Sequence, residues 1–200
     1  MNKNRLEAFS DGVIAVIITI MVLELKPPHS ADLAALHELV PTFLSYVLSF
    51  VYIAIYWNNH HHILHTVHRV NGRLMWANLH LLFWLSLVPF TTSWMDETDL
   101  APIPTALYGF SLLMPAFAWL YLQRSIICLH GTDSELAEAL GTNLKGKISP
   151  LLYLCGIGSA FINSWLALAF YAAVAILWLA PDRRIEAVVL RHESQKAGHD

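Results

Sequence analysis

The sequence predicts an all-α, polytopic membrane protein with six transmembrane helices per subunit. Three observations carry that expectation. Hydrophobic residues make up 56% of the 200-residue chain and charged residues only 14%, with a mean hydropathy of +0.49, which is too apolar for a soluble domain of this length. Five stretches reach or approach the roughly 20 apolar residues needed to cross about 30 Å of hydrocarbon at about 1.5 Å per residue. Basic residues gather on alternate loops, as the positive-inside rule requires of a polytopic chain.

The first stretch, residues 6–25, begins polar and ends apolar, with Gly12 at the junction. Glu7 and Asp11 stand where a signal peptide would carry basic residues, and no small-residue cleavage site follows. The segment is expected to stay in the protein as helix 1. Helix 2 spans 39–64 without a charge, helix 3 spans 74–94 and helix 4 spans 101–123. The uncharged run 148–181 exceeds one helix. It divides at "FINSW", where Asn163 and Ser164 offer turn and N-cap chemistry. Helix 5 then begins near Asn143, with Lys145 and Lys147 in its first turns. Helix 6 runs from Ser164 to about Leu179 and is closed by "APDRR". The domain reading is one six-helix transmembrane unit, 1–183, followed by a polar cytoplasmic tail, 184–200. In the inner loop 125–142, "TDSELAEAL" offers Asp133 or Ser134 as cap of a short interfacial helix.

An even number of spans puts both termini on one side. Lys3, Arg5, Arg69, Arg73, Arg124, Lys145, Lys147, Arg183, Arg184, Arg191 and Lys196 all fall there, eleven of the twelve basic residues. The termini are therefore predicted cytoplasmic. Only Lys26 lies opposite, among six carboxylates: Glu24, Asp32, Glu38, Asp96, Glu97 and Asp99. Such an excess raises local cation concentration at a pore mouth, although acids also collect wherever bases are excluded. A net charge of -3 without a basic tract argues against a nucleic-acid partner. Cys128 and Cys155 are the only cysteines, which gives a disulfide framework no support.

Helical phase separates two faces of helix 1. Gly12, Val16, Thr19, Ile20 and Leu23 fall on one stripe, while Ser10 and Asp11 point away from it. Polar groups on a membrane helix require partners. Trp57 and His60 near the end of helix 2, Asn78 one turn into helix 3, and Arg5 are the candidates for Asp11. A hydrogen-bonded clasp across three helices is the preferred reading; a proton relay through Asp11 and His60 is the sharper alternative. His61, His65 and His68 have i, i+4, i+7 spacing compatible with zinc, yet no carboxylate or cysteine accompanies them locally. A solvated helix end that interacts with the helix dipole is the expectation, with no metal.

No TVGYG-type filter is present, so a conducting protein would need a side-chain constriction, for which Val16, Ile20 and Leu23 are the available material. One chain supplies one such helix, and a closed pore would require several subunits about an axis. No GxSxG, HExxH or P-loop occurs, nor a paired carboxylate within a span, so neither an enzyme nor a cofactor is expected.

At "RLEAFSDGVIAV" the chain resembles prokaryotic members of the transmembrane protein 175 family, relatives of the endosomal and lysosomal potassium channel. The hallmark Arg, three residues, then Phe-Ser-Asp is met by Arg5, Phe9, Ser10 and Asp11. The likeness continues through Trp57 and His60, "ANLHLL" with Asn78, and "LVPF" around Pro89, and the final helix also resembles the family ending. The resemblance implies a homotetramer in a prokaryotic cell membrane, permeable to potassium and, where selectivity is weak, to other monovalent cations. It implies that helix 1 lines the central pore, with Val16, Ile20 and Leu23 at the constriction and Thr19 beside it. It groups Arg5, Phe9, Ser10, Asp11, Trp57, His60 and Asn78 as the structural polar network. Val16 is one methylene smaller than the Ile or Leu common at that position. The alternatives outside the channel class are a proton- or metal-coupled transporter and a non-conducting membrane scaffold.

Overall fold

A computed structural model describes residues 2–28, 30–131 and 144–179. The expected interfacial helix at Asp133 or Ser134, the tail 184–200 and the bases from Arg183 onward lie outside the described residues. Among the described residues the fold is all-helical: α1 (Lys3–Leu23), α2 (Leu33–Glu38), α3 (Val40–His65), α4 (Gly72–Ser86), α5 (Val88–Glu97), α6 (Pro102–His130), α7 (Leu144–Ser159) and α8 (Ser164–Leu179). Four units are long and apolar enough to cross a membrane: α1, α3, α6, and α4 with α5 as one rod, Gly72–Glu97.

Side-chain caps explain several starts. The Oδ1 atoms of Asn2, Asp32 and Asn71 accept from the backbone N–H groups of Asn4, Ala35 and Leu74 at 3.3, 2.8 and 2.9 Å. Asn163 caps α8 as its sequence context predicts, accepting from the N–H groups of Trp165 and Leu166 at 2.9 and 3.2 Å. The bonds that Asp32 accepts from Ala35 and Ser30 hold its carboxyl below the ordinary range. Its capping contribution is therefore present above about pH 4 and is lost as pH falls through the lowered value.

Two expectations need correction. The third span is jointed at Leu87 rather than continuous, because Pro89 in the first turn of α5 has no N–H to give the Leu85 carbonyl. The fourth span does not stop at Gln123. Gln123 and Arg124 are good helix formers, buried Leu122, Ser125 and Ile126 continue the packed face, and the helix runs on until Gly131 adopts φ +96°. Cys128 therefore sits in the last turn of α6 rather than in a loop. The short helix α2 was not anticipated.

The bundle is built around α6, which packs against α4, α5, α7 and α8, while α1 packs against α3, α4 and α5. Tyr171 of α8 locks the far side. A Cβ placed on Gly109 of α6 would lie 2.0 Å from its Oη, and one on Gly156 of α7 would lie 2.4 Å from its Cε1. Only glycine admits the ring at these two positions. The Tyr171 hydroxyl donates to the Thr105 carbonyl at 3.2 Å, and Tyr52 of α3 donates to the Tyr171 carbonyl at 2.5 Å. Gly109→Ala is expected to lower stability by about 1–3 kcal/mol through overpacking. Gly158→Ala, which meets nothing within 4 Å, should leave the thermal unfolding midpoint of the detergent-solubilised protein close to wild type.

Candidate functional site: the two faces of the first helix

Leu6, Ser10, Ile14, Ile17 and Met21 form the buried stripe of α1, turned toward α3 and α4. The opposite stripe is bare. Val16 is 57% exposed, Ile20 43% and Leu23 75%, and Thr19 is exposed as well. The Thr19 hydroxyl donates only to the Ala15 carbonyl of its own helix, at 2.9 Å. Gly12 continues the face, with open space where a Cβ would stand.

The buried side carries a directional hydrogen-bond chain. The Ser10 hydroxyl donates to the Leu6 carbonyl at 2.8 Å, so its oxygen is left to accept from Asn78 Nδ2 at 2.9 Å. That donation fixes the Asn78 amide, whose Oδ1 then accepts from His60 Nε2–H at 2.7 Å. His60 is thus the Nε2–H tautomer, and its buried Nδ1 has no partner among the described residues. One chain of bonds joins α1, α4 and α3. All three side chains are buried, where a completed chain stabilises and a broken one costs the full desolvation of the groups left over.

A second set of contacts binds α1 to α3 alone. Trp57 Nε1 donates to Asp11 Oδ1 at 3.0 Å, and His61 Nδ1 lies 3.3 Å from Glu7 Oε1. Glu7 and Asp11 are four residues apart, as are Trp57 and His61. Four steps forward on α1 therefore match four back on α3, the register of antiparallel neighbours with one face each in contact. The Trp57 and His61 rings stack, with centroids 6.3 Å apart and planes 26° apart.

The hallmark motif divides between the two faces. Ser10 and Asp11 enter the contacts just described, whereas Arg5 and Phe9 are exposed and lie in helical phase with Val16 and Leu23. The expected pairing of Arg5 with Asp11 is absent: the Arg5 guanidinium has no partner among the described residues of the protomer. Asp11 already receives the Trp57 indole, and the phase of Arg5 turns it away. Glu7 is the residue that sequence reasoning missed here. His68 leaves the histidine row, since its backbone N–H donates to His130 Nε2 of α6 at 3.1 Å.

At the other end of α1, Ser93 donates to Glu24 at 3.0 Å and Lys26 pairs with Glu97 at 2.5 Å. The hydrogen bond to Glu97, and then its charge, raise the Lys26 ammonium above its ordinary range. Glu24, Lys26, Asp96 and Glu97 line one recess with Ser93 and Tyr46, so three of the six predicted outer carboxylates meet there.

A potassium channel of Chryseobacterium sp. is 52% identical to this chain over 186 residues, which is 93% of this chain and 97% of that one. The TMEM175 family model, described as endosomal/lysosomal potassium channel, matches residues 5–89, a range that holds both faces of α1 and every partner named for them on α3 and α4. The chain belongs to the TMEM175 family. A Streptomyces collinus potassium channel is 31% identical over 191 residues, 89% of this chain and 92% of that one. The crystal structure of a lysosomal potassium-selective channel TMEM175 homolog from Chamaesiphon minutus superposes with a TM-score of 0.78 at 29% identity, covering 90% of this chain and 97% of that one.

Proposed function

We propose that this chain is one subunit of a homotetrameric, potassium-permeable cation channel in a prokaryotic cell membrane, with a hydrophobic constriction on α1 in place of a carbonyl filter. The observation that carries the reading is the bare stripe of Val16, Thr19, Ile20 and Leu23 on a helix whose opposite face is anchored by buried polar bonds. A helix held so firmly on one side and uncovered on the other suits a wall that meets its own copies about an axis. Narrow apolar rings gate by dewetting, and a threonine hydroxyl among them offers an oxygen to a partly dehydrated cation.

In this reading α7 and α8 supply the fifth and sixth spans. Each has 16 described residues, which rise about 24 Å. Six spans place both termini together, and the distribution of Lys and Arg makes that side cytoplasmic. In the outer recess the carboxylates Glu24, Asp96 and Glu97 outnumber the single base Lys26, an excess that would raise the cation concentration on the extracellular side.

Reconstituted protein should carry potassium into liposomes along its gradient without need of a proton gradient. Flux that saturates and follows protons would replace this reading with a coupled transporter. An intact oligomer that passes no ion would leave a scaffold.

A further inference from the structure

We propose that His61 and His65 of α3, with Glu7 of α1 behind them, form a binding site for a divalent transition-metal ion of the zinc class. The three side chains come from two helices, and the sequence places Glu7 more than fifty residues from either histidine. Their ligand atoms all lie within 4.8 Å of one another.

The contact with Glu7 sets the tautomer that His61 needs as a metal ligand. Glu7 Oε1 sits 3.3 Å from His61 Nδ1, so Nδ1 carries the proton and donates it to the carboxylate. The His61 Nε2 lone pair then accepts from His65 Nε2–H at 3.2 Å, and a metal binding both nitrogens would take the place of that proton, with His65 shifting to its Nδ1–H tautomer. Two nitrogens bound tetrahedrally at about 2.0–2.1 Å from zinc stand about 3.3 Å apart, so the rings already hold the separation of adjacent ligands. A carboxylate on the far nitrogen of a ligating imidazole fixes its tautomer and raises its basicity, the position that Glu7 occupies. His65 is exposed, and Glu7 and His61 are half-buried, which leaves an open side for water ligands and for entry. The Lys3 ammonium is close by, donating to the His65 carbonyl at 3.1 Å, and the Glu7 carboxylate offsets its charge.

Such an ion would strengthen the existing Glu7–His61 link between α1 and α3, one turn from the Asp11–Trp57 bond, by raising the acidity of the His61 N–H that Glu7 accepts. The site does not depend on the conduction reading, because binding is measured on the protein itself.

The test is calorimetric titration of untagged, detergent-solubilised oligomer with zinc chloride. Wild type should take up one zinc per subunit. His65→Gln and His61→Gln should each weaken binding at least tenfold, and Glu7→Gln by about tenfold, while His62→Gln and His68→Gln bind as wild type. Because His65 is exposed, its variant should elute as the wild-type oligomer even if the half-buried His61 variant does not. No saturable uptake by wild type, undiminished affinity in folded His65→Gln, or a loss confined to His68→Gln would each overturn the proposal.

Discussion

Leu23→Ala is expected to raise potassium flux through reconstituted protein by about tenfold, equivalent to about 1.4 kcal/mol off the permeation barrier. Leu23 is the most exposed of the three large apolar side chains on the bare stripe, at 75%, and in a symmetric assembly one substitution removes a leucine from every subunit at the same ring. Shortening the side chains widens the ring and lets water persist there, which abolishes the cost of dewetting. The substitution should scarcely change stability, because the side chain contributes little to the packing of its own protomer. Stopped-flow fluorescence with a potassium gradient measures the effect, and unchanged flux would remove Leu23 from the constriction. Thr19→Val, which keeps the shape and removes the hydroxyl, should lower the potassium-to-sodium ratio more than it lowers total flux.

The largest effect on stability is expected from Asn78→Ala. It strands two buried groups at once, the His60 Nε2–H and the Ser10 oxygen, each costing about 1–3 kcal/mol when unpaired, and it leaves a small cavity besides. A combined loss of about 3–5 kcal/mol should appear as dissociation or aggregation on gentle heating. His60→Leu combined with Asn78→Leu should cost less than the two single changes together, because removal of both partners leaves fewer stranded groups. Strict additivity in that cycle would show that the chain of bonds is not a unit.

The spans of α1, α3, α4 with α5, and α6 were legible because length and hydropathy record the bilayer directly, and Asn163 was legible because capping is a local event. The run of α6 to His130 was not, since a single arginine at a membrane border reads as a loop until buried Leu122 and Ile126 are seen on one packed face. The Tyr171 wedge was also invisible. Gly109, Gly156 and Tyr171 carry no mark of mutual fit until three helices are set side by side.

The candidate site divides similarly. The phase of Val16, Thr19, Ile20 and Leu23 was readable from 3.6-residue periodicity, and the same arithmetic places Arg5 and Phe9 on that face. Treating the motif as one polar unit had drawn them to the other side. Glu7 beside His61 depends on the antiparallel register of α1 against α3, a tertiary quantity that follows from the Asp11–Trp57 contact and from nothing within either segment. For that reason the histidine row shows no carboxylate within its own segment.

The central claim is that the uncovered stripe of α1 lines an ion path. Thiol modification tests it most directly. In a background with Cys128 and Cys155 replaced by serine, Leu23→Cys is introduced in one variant and Ile162→Cys, exposed at the α7–α8 turn, in another. The account predicts that a charged, membrane-impermeant thiol reagent added to the extracellular side halts potassium flux through the first and leaves the second unaffected. Flux that persists through a fully labelled Leu23→Cys oligomer would contradict it.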